Sequence, residues 1–145
     1  MRTILFLFAS LVLGGCSTTQ SFDVSVKNEG ARPVTIALTK TGGPVEDQWA
    51  SPEQIADRKS EVSAKHGIVL VAPGKTAHVS DLKAELPSNA HAVLRVYPGD
   101  PNYLDMLKMQ PGHGRVDMTL TPGANSFVIH ETTTGLTIDR VASSK

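Results

Sequence analysis

Phe22, Val24 and Val26 alternate with Asp23, Ser25 and Lys27, the two-residue period of a strand with one buried face. Asn28-Glu29-Gly30 supplies turn chemistry, and Pro33 opens a second alternating run, with Val34, Ile36 and Leu38 set against Thr35, Ala37 and Thr39. Residues 22–39 are therefore predicted to form a β-hairpin or a neighbouring strand pair. Strand and turn signals recur further on. Ile68 to Val71 is continuously apolar, Thr76 to Leu82 alternates weakly, and Ala92 to Tyr97 is rich in β-formers. Arg115 to Thr121 places Val116, Met118 and Leu120 on one face, and strands follow at Ser126 to Glu131 and Leu136 to Val141. Pro-Gly occurs at 73, 98, 111 and 122, each time where an apolar run stops. Proline presets the first turn angle and glycine admits the positive one that follows.

Between residues 41 and 65 the alternation fails. Thr41-Gly42-Gly43-Pro44 breaks the sheet pattern. Ser51-Pro52-Glu53-Gln54 then reads as a helix start, with Ser51 as cap, Pro52 at the first helical position and Gln54 reaching back. This predicts a short helix over about residues 52–59 inside a long, charged surface loop. The fold class that follows is mainly β: an antiparallel β-sandwich of about 7–8 strands with one short helix in a long loop. The pattern is similar to immunoglobulin-like or transthyretin-like sandwiches, yet without a Cys-Trp-Cys core signature it designates no single family.

The first sixteen residues follow a different rule. Arg2 gives a short positive region, Ile4 to Leu13 an apolar one, and Leu13-Gly14-Gly15 places small residues before Cys16, the only cysteine. An apolar run of roughly ten residues is too short for a membrane span, which needs about 20. Leu13-Gly14-Gly15-Cys16 resembles the lipobox of bacterial lipoproteins. That resemblance covers residues 1–16 and implies a covalent lipid on Cys16, a diacylglycerol on sulfur and usually a further acyl chain on the new amino terminus. It also implies removal of residues 1–15 as a signal peptide. Two or three acyl chains, at about 0.8 kcal/mol per buried methylene, anchor a protein durably without help from other residues. Ser17 stands where enterobacterial lipoproteins retained at the inner membrane carry Asp, so the resemblance implies the outer membrane, facing the periplasm. Residues 16–21 are then read as the lipidated cysteine and a short polar tether, and residues 22–145 as a single sandwich domain.

Composition narrows the partners. Removing 15 of the 145 residues leaves 130, enough for one core. Only Arg2 of the 14 basic residues is lost, so 13 Lys and Arg face 14 Asp and Glu, dispersed along the chain. That balance argues against a nucleic-acid partner. With Cys16 lipidated no disulfide can form, and stability must come from apolar burial.

The one concentration of metal-type donors is Met106, Met109, His113 and Met118, which holds every methionine of the processed chain. Neutral thioethers suit Cu(I), and an imidazole can complete such a set. Against copper, Met118 is in phase with Val116 and Leu120, where a core side chain belongs, and methionine is a common core filler. Met106 and Met109 can pack if Tyr103 to Gln110 forms a helical turn. His66, His78, His91 and His130 are scattered, and Arg95 and Tyr97 read as a strand edge. No His-Glu-x-x-His, nucleophile elbow or phosphate-binding glycine loop is present, so nothing supplies the roles of an enzyme. Trp49, the sole tryptophan, either seals an end of the sandwich or anchors a partner. The expectation is a noncatalytic, cofactor-free envelope lipoprotein that is membrane-bound through its lipid. It binds another envelope protein through the loop carrying Trp49. A Cu(I) carrier using Met106, Met109, His113 and Met118 is the alternative.

Overall fold

The computed structural model describes residues 18–42 and 68–142. Cys16, Trp49 and the helix expected at 52–59 lie outside the described residues. Two sheets stack face to face. One has strand order β4-β1-β8-β9 and the other β3-β2-β5-β7-β6. The first comprises β1 (Thr18–Asn28), β4 (Thr76–Leu86), β8 (Gly123–Thr132) and β9 (Gly135–Val141). The second comprises β2 (Val34–Thr41), β3 (Ile68–Val71), β5 (His91–Pro98), β6 (Gln110–Pro111) and β7 (Gly114–Thr119), with a six-residue helix α1 (Tyr103–Lys108) after β5. Among the described residues no helix is long and apolar enough to cross a membrane.

The sandwich expected from alternation is present, and its core comes from the positions that alternation selects. Phe22, Val24 and Val26 of the first sheet meet Val34, Ile36 and Leu38 of the second, joined by Leu94, Val96, Phe127 and Ile129. Each such side chain contributes about 1.5–3 kcal/mol when fully buried.

Three expectations are corrected. First, β1 and β2 do not pair. β1 lies between β4 and β8, while β2 lies between β3 and β5, so residues 29–33 form an arch from one sheet to the other. Alternation reveals which face is buried but not which strand lies alongside, and two strands facing one another across a core alternate just as a hairpin does. Second, the sheets are not wholly antiparallel. β1 and β8 run parallel, from Phe22 opposite Gly123 to Asn28 opposite Ile129. Third, Thr18 to Ser21 are not a tether. They pair with β4, Thr18 opposite Leu86 and Ser21 opposite Lys83. Their polar side chains give no alternation, because here the strand is held through its backbone.

The arch is fastened by Asn28, which is fully buried. Its amide donates to the carbonyls of Arg32 (2.9 Å) and Val71 (3.0 Å), and its Oδ1 accepts from the Gly30 N–H (2.9 Å). Asn125, within β8, likewise fastens the turn that leads into that strand, accepting from the Thr121 N–H (3.0 Å) and donating to the Thr121 carbonyl (2.8 Å). At Pro73-Gly74 and Pro122-Gly123 the glycine takes a φ of +70° and +88°, the geometry expected of these pairs.

Candidate functional site

The outer face of the five-stranded sheet is covered where α1 crosses it. Asn102 caps the helix, its Oδ1 accepting from the Asp105 N–H at 2.9 Å. Met106, 4% exposed, packs on Ala37, Ile68 and Tyr97, with Met109 partly buried beside them. Met118 lies on the opposite face, in register with Leu94 and packed against the core between the sheets. His113 is exposed in the turn before β7, which is closed by Gln110 and His113 exchanging backbone hydrogen bonds of 3.2 and 2.9 Å.

The four candidate ligands are therefore divided. Met109 and His113 line one open cleft of about 490 Å³ with Asp100, Asp105 and Lys108. Met106 is committed to packing, and the sheet separates Met118 from the others. Among the described residues no three His, Cys, Asp or Glu side chains are grouped to hold a metal.

Beneath the same cover lies a charged group that alternation did not reveal. Arg115 holds Asp117 through two bonds, Nε to Oδ1 at 3.0 Å and Nη2 to Oδ2 at 3.1 Å, and donates from Nη1 to the Met109 carbonyl at 3.1 Å. Arg95 approaches the same carboxylate, Nε to Oδ2, at 3.9 Å. Burial pushes the Tyr97 phenol above its ordinary pKa, and the cations of Arg115 and Arg95 oppose that shift. Arg95 and Tyr97 were expected at a strand edge. Instead β5 is an interior strand and Tyr97 is 3% exposed. The available signal was β2, where Val34 to Thr39 carries no charged residue on either face and is buried at every position in the structure. A strand buried on both faces requires a layer outside its sheet.

The two ends of the sandwich differ. β1 starts at Thr18 beside Leu86, and the β4–β5 turn, residues 120–122 and Gly42 gather at that N-terminal end. A cleft of about 400 Å³ there is lined by Gln20, Leu86, Pro87, His91, Leu120 and Pro122, among others. A Cβ on Gly42 would come within 2.3 Å of the Asn89 carbonyl, so this turn is packed against the end of β2. The connection that carries Trp49 leaves from Gly42.

At the far end the turns at 29–33, 72–75 and 133–134 meet the end of β5. Arg32 pairs with Glu131, which also accepts from the Ala31 N–H at 3.2 Å. Lys27 pairs with Glu29 at 2.6 Å. His130 lies between Glu29, at 3.6 Å, and Asp139, at 3.4 Å. The Lys27 ammonium holds the Glu29 carboxyl below its usual range, and Arg32 does the same for Glu131. A third cleft, of about 290 Å³, lies here between the sheets, lined by Arg32, Pro98, Arg115, Val116, Gly135 and Leu136, among others.

No family model matches the sequence, and no curated protein matches it. Among solved structures, the T6SS lipoprotein TssJ1 from Pseudomonas aeruginosa is similar, with 10% identity and a TM-score of 0.40, over 88% of this chain and 100% of that one.

Proposed function

We propose that this protein is a noncatalytic binding or scaffolding lipoprotein of the bacterial cell envelope, anchored through acyl chains on Cys16 to the periplasmic face of the outer membrane. The observation that carries the reading is where β1 begins. A sheet strand starting at Thr18 leaves one residue between it and the lipobox cysteine. At about 3.3–3.6 Å per residue, Thr18 then stands within about 7 Å of the lipidated residue. The lipid therefore fixes orientation as well as location. The N-terminal end meets the headgroups, and an 11-residue strand at about 3.3 Å per residue raises the far-end turns about 35 Å above them.

Acylation is tested by the mass of the processed protein and by fractionation. The expected result is a lipid mass increment with an N-terminus at Cys16, and release of Cys16→Ser from the membrane. An unmodified cysteine, or a Cys16→Ser protein that stays membrane-bound, refutes the anchor. Partner binding through Trp49 is tested by cross-linking in the envelope. Capture unchanged by Trp49→Ala together with replacement of residues 43–65 refutes that assignment.

A second reading, Cu(I) binding, is favoured by one observation, the cleft shared by Met109 and His113. An anaerobic Cu(I) competition titration tests it. One-to-one binding lost in Met109→Ala and His113→Ala is the expected result, and no competition refutes it.

A further inference from the structure

The sheets have four outer edges among the described residues, and they are not alike. β4 is interrupted opposite Asp23, where the register shifts and Asp81 takes a left-handed φ of +56°. β3 has four residues. β6 has two, one of them Pro111. Short strands, bulges, prolines and charged side chains are among the devices by which sheets discourage edge pairing. β9 is neither short nor bulged and has no proline, and its two charged residues, Asp139 and Arg140, lie towards the N-terminal end, leaving Gly135 to Ile138 without such a device. It runs seven residues in unbroken register with β8, from Gly135 opposite Thr132 to Val141 opposite Ser126.

The direction of its backbone groups follows from that register. The two-residue turn Thr133-Thr134 closes on the pair Thr132 and Gly135, a hydrogen-bonded pair in such hairpins. Pairs alternate along an antiparallel ladder, so the N–H and C=O groups of Leu136, Ile138 and Arg140 point away from β8, to the open side. On the facing edge, the Leu120 N–H donates to the Ala92 carbonyl at 2.8 Å, which by the same alternation turns the groups of Asp117 and Thr119 outward from β7.

This corner is shut at one end and open at the other. Near the N-terminal end, Arg140 donates from Nη2 to the Thr119 carbonyl (2.5 Å) and from Nη1 to Asn125 Oδ1 (2.8 Å). Towards the far end β7 and β9 part around the 290 Å³ cleft, where Val116, Pro98 and Leu136 give apolar walls and, among the described residues that line it, Arg32 and Arg115 are the charged ones. Each arginine already holds a carboxylate, but a guanidinium carries five N–H donors, so capacity remains.

We infer that the β9 edge and this cleft receive an extended segment of another envelope protein. It adds as a strand along Leu136 to Ile138, with apolar side chains towards Val116 and Leu136 and an acidic group beside Arg32. This rests on the anchored reading in one respect, the exclusion of a second copy. β8 is parallel to β1 and antiparallel to β9, so β9 runs back towards the N-terminal end. Antiparallel pairing of two β9 strands would point the second copy's Thr18 away from the membrane that holds the first.

The test uses the full acylated protein in detergent micelles and a random dodecapeptide library. Selected peptides are expected to carry an acidic residue next to an alternating apolar stretch and to slow amide exchange at Leu136 and Ile138 at least tenfold. N-methylation of alternate peptide amides should weaken binding about tenfold by removing backbone donors. Ile138→Pro should abolish binding. Arg32→Ala, at an exposed position, should weaken it several-fold while leaving the circular dichroism spectrum unchanged, which keeps the test valid if the proline variant fails to fold. No enrichment, protection centred on another strand, or tolerance of N-methylation overturns the inference. Acylation is read from the mass of the same preparation. Unacylated protein that binds the peptides would refute the anchor and leave the edge site standing, whereas acylated protein that binds none would refute the edge site alone.

Discussion

Replacing Asn28 is the sharpest probe of the arch that converts an apparent hairpin into a sandwich. In Asn28→Ala three partners lose their bonds: the Gly30 N–H and the carbonyls of Arg32 and Val71. The first two are partly buried and can recruit water, at about 0.5–1 kcal/mol each. The Val71 carbonyl is buried, and leaving it unsatisfied costs about 1–3 kcal/mol. The sum is about 2–5 kcal/mol, a large fraction of the 5–15 kcal/mol typical of a domain. Asn28→Asp separates hydrogen bonding from shape. Its carboxylate can still accept from Gly30 but faces two carbonyls with no proton to offer, so its folded-state pKa must rise above the unfolded value. By linkage this variant is most stable below the unfolded carboxyl pKa and loses stability as pH rises through the folded one. Urea unfolding followed by far-ultraviolet circular dichroism measures both. A loss below 0.5 kcal/mol for Asn28→Ala, or no excess destabilisation of Asn28→Asp at pH 7 over pH 4, would refute the account.

Gly42→Ala should cost more than 2 kcal/mol, since a Cβ would meet the Asn89 carbonyl at 2.3 Å and φ is +97°; urea midpoints decide it. Met106→Ala should destabilise the fold by about 2–5 kcal/mol with or without copper, as expected of a buried packing residue; equal stability with wild type in metal-free buffer would contradict that role. Glu29 and Glu131 have depressed folded-state pKa values, so their contribution is present above the usual glutamate pKa and is lost as pH falls through the folded values. Glu131→Gln should accordingly flatten the acid limb of the stability–pH curve, and an unchanged limb would show that the Arg32 pair contributes nothing to it.

Strand positions were legible wherever one face met the core and the other met water, as in β1 and β8. Partnering was not. β1 and β2 read as neighbours because the signal of burial is the same whether the covering residues lie beside a strand or across from it. Thr18 to Ser21 were missed because their pairing with β4 is a backbone matter and leaves no apolar period. The charged group of Arg95, Arg115 and Asp117 was illegible for a related reason. On an exposed face charges need no explanation, and only the layer contributed by α1 turns them into a half-buried network. For the methionines, phase alone placed Met118 in the core, and it packs there. Spacing along the chain could not show that a sheet stands between it and Met109.

The strand that begins two residues after Cys16 is not peripheral to the fold. β1 is flanked by β4 on one side and β8 on the other, and Phe22, Val24 and Val26 are at most 2% exposed. A pull on an anchor at Cys16 would therefore act along a central strand, loading its two ladders in shear, so that many hydrogen bonds and a row of core contacts must yield together. The route from that anchor to the proposed binding edge passes through one intermediate strand, β8, whose parallel register with β1 and antiparallel register with β9 are unbroken. A protein that must hold a partner at a fixed height above a membrane benefits from this arrangement. Position is set by a rigid ladder rather than by a linker, whose end-to-end distance would fluctuate as the square root of its length.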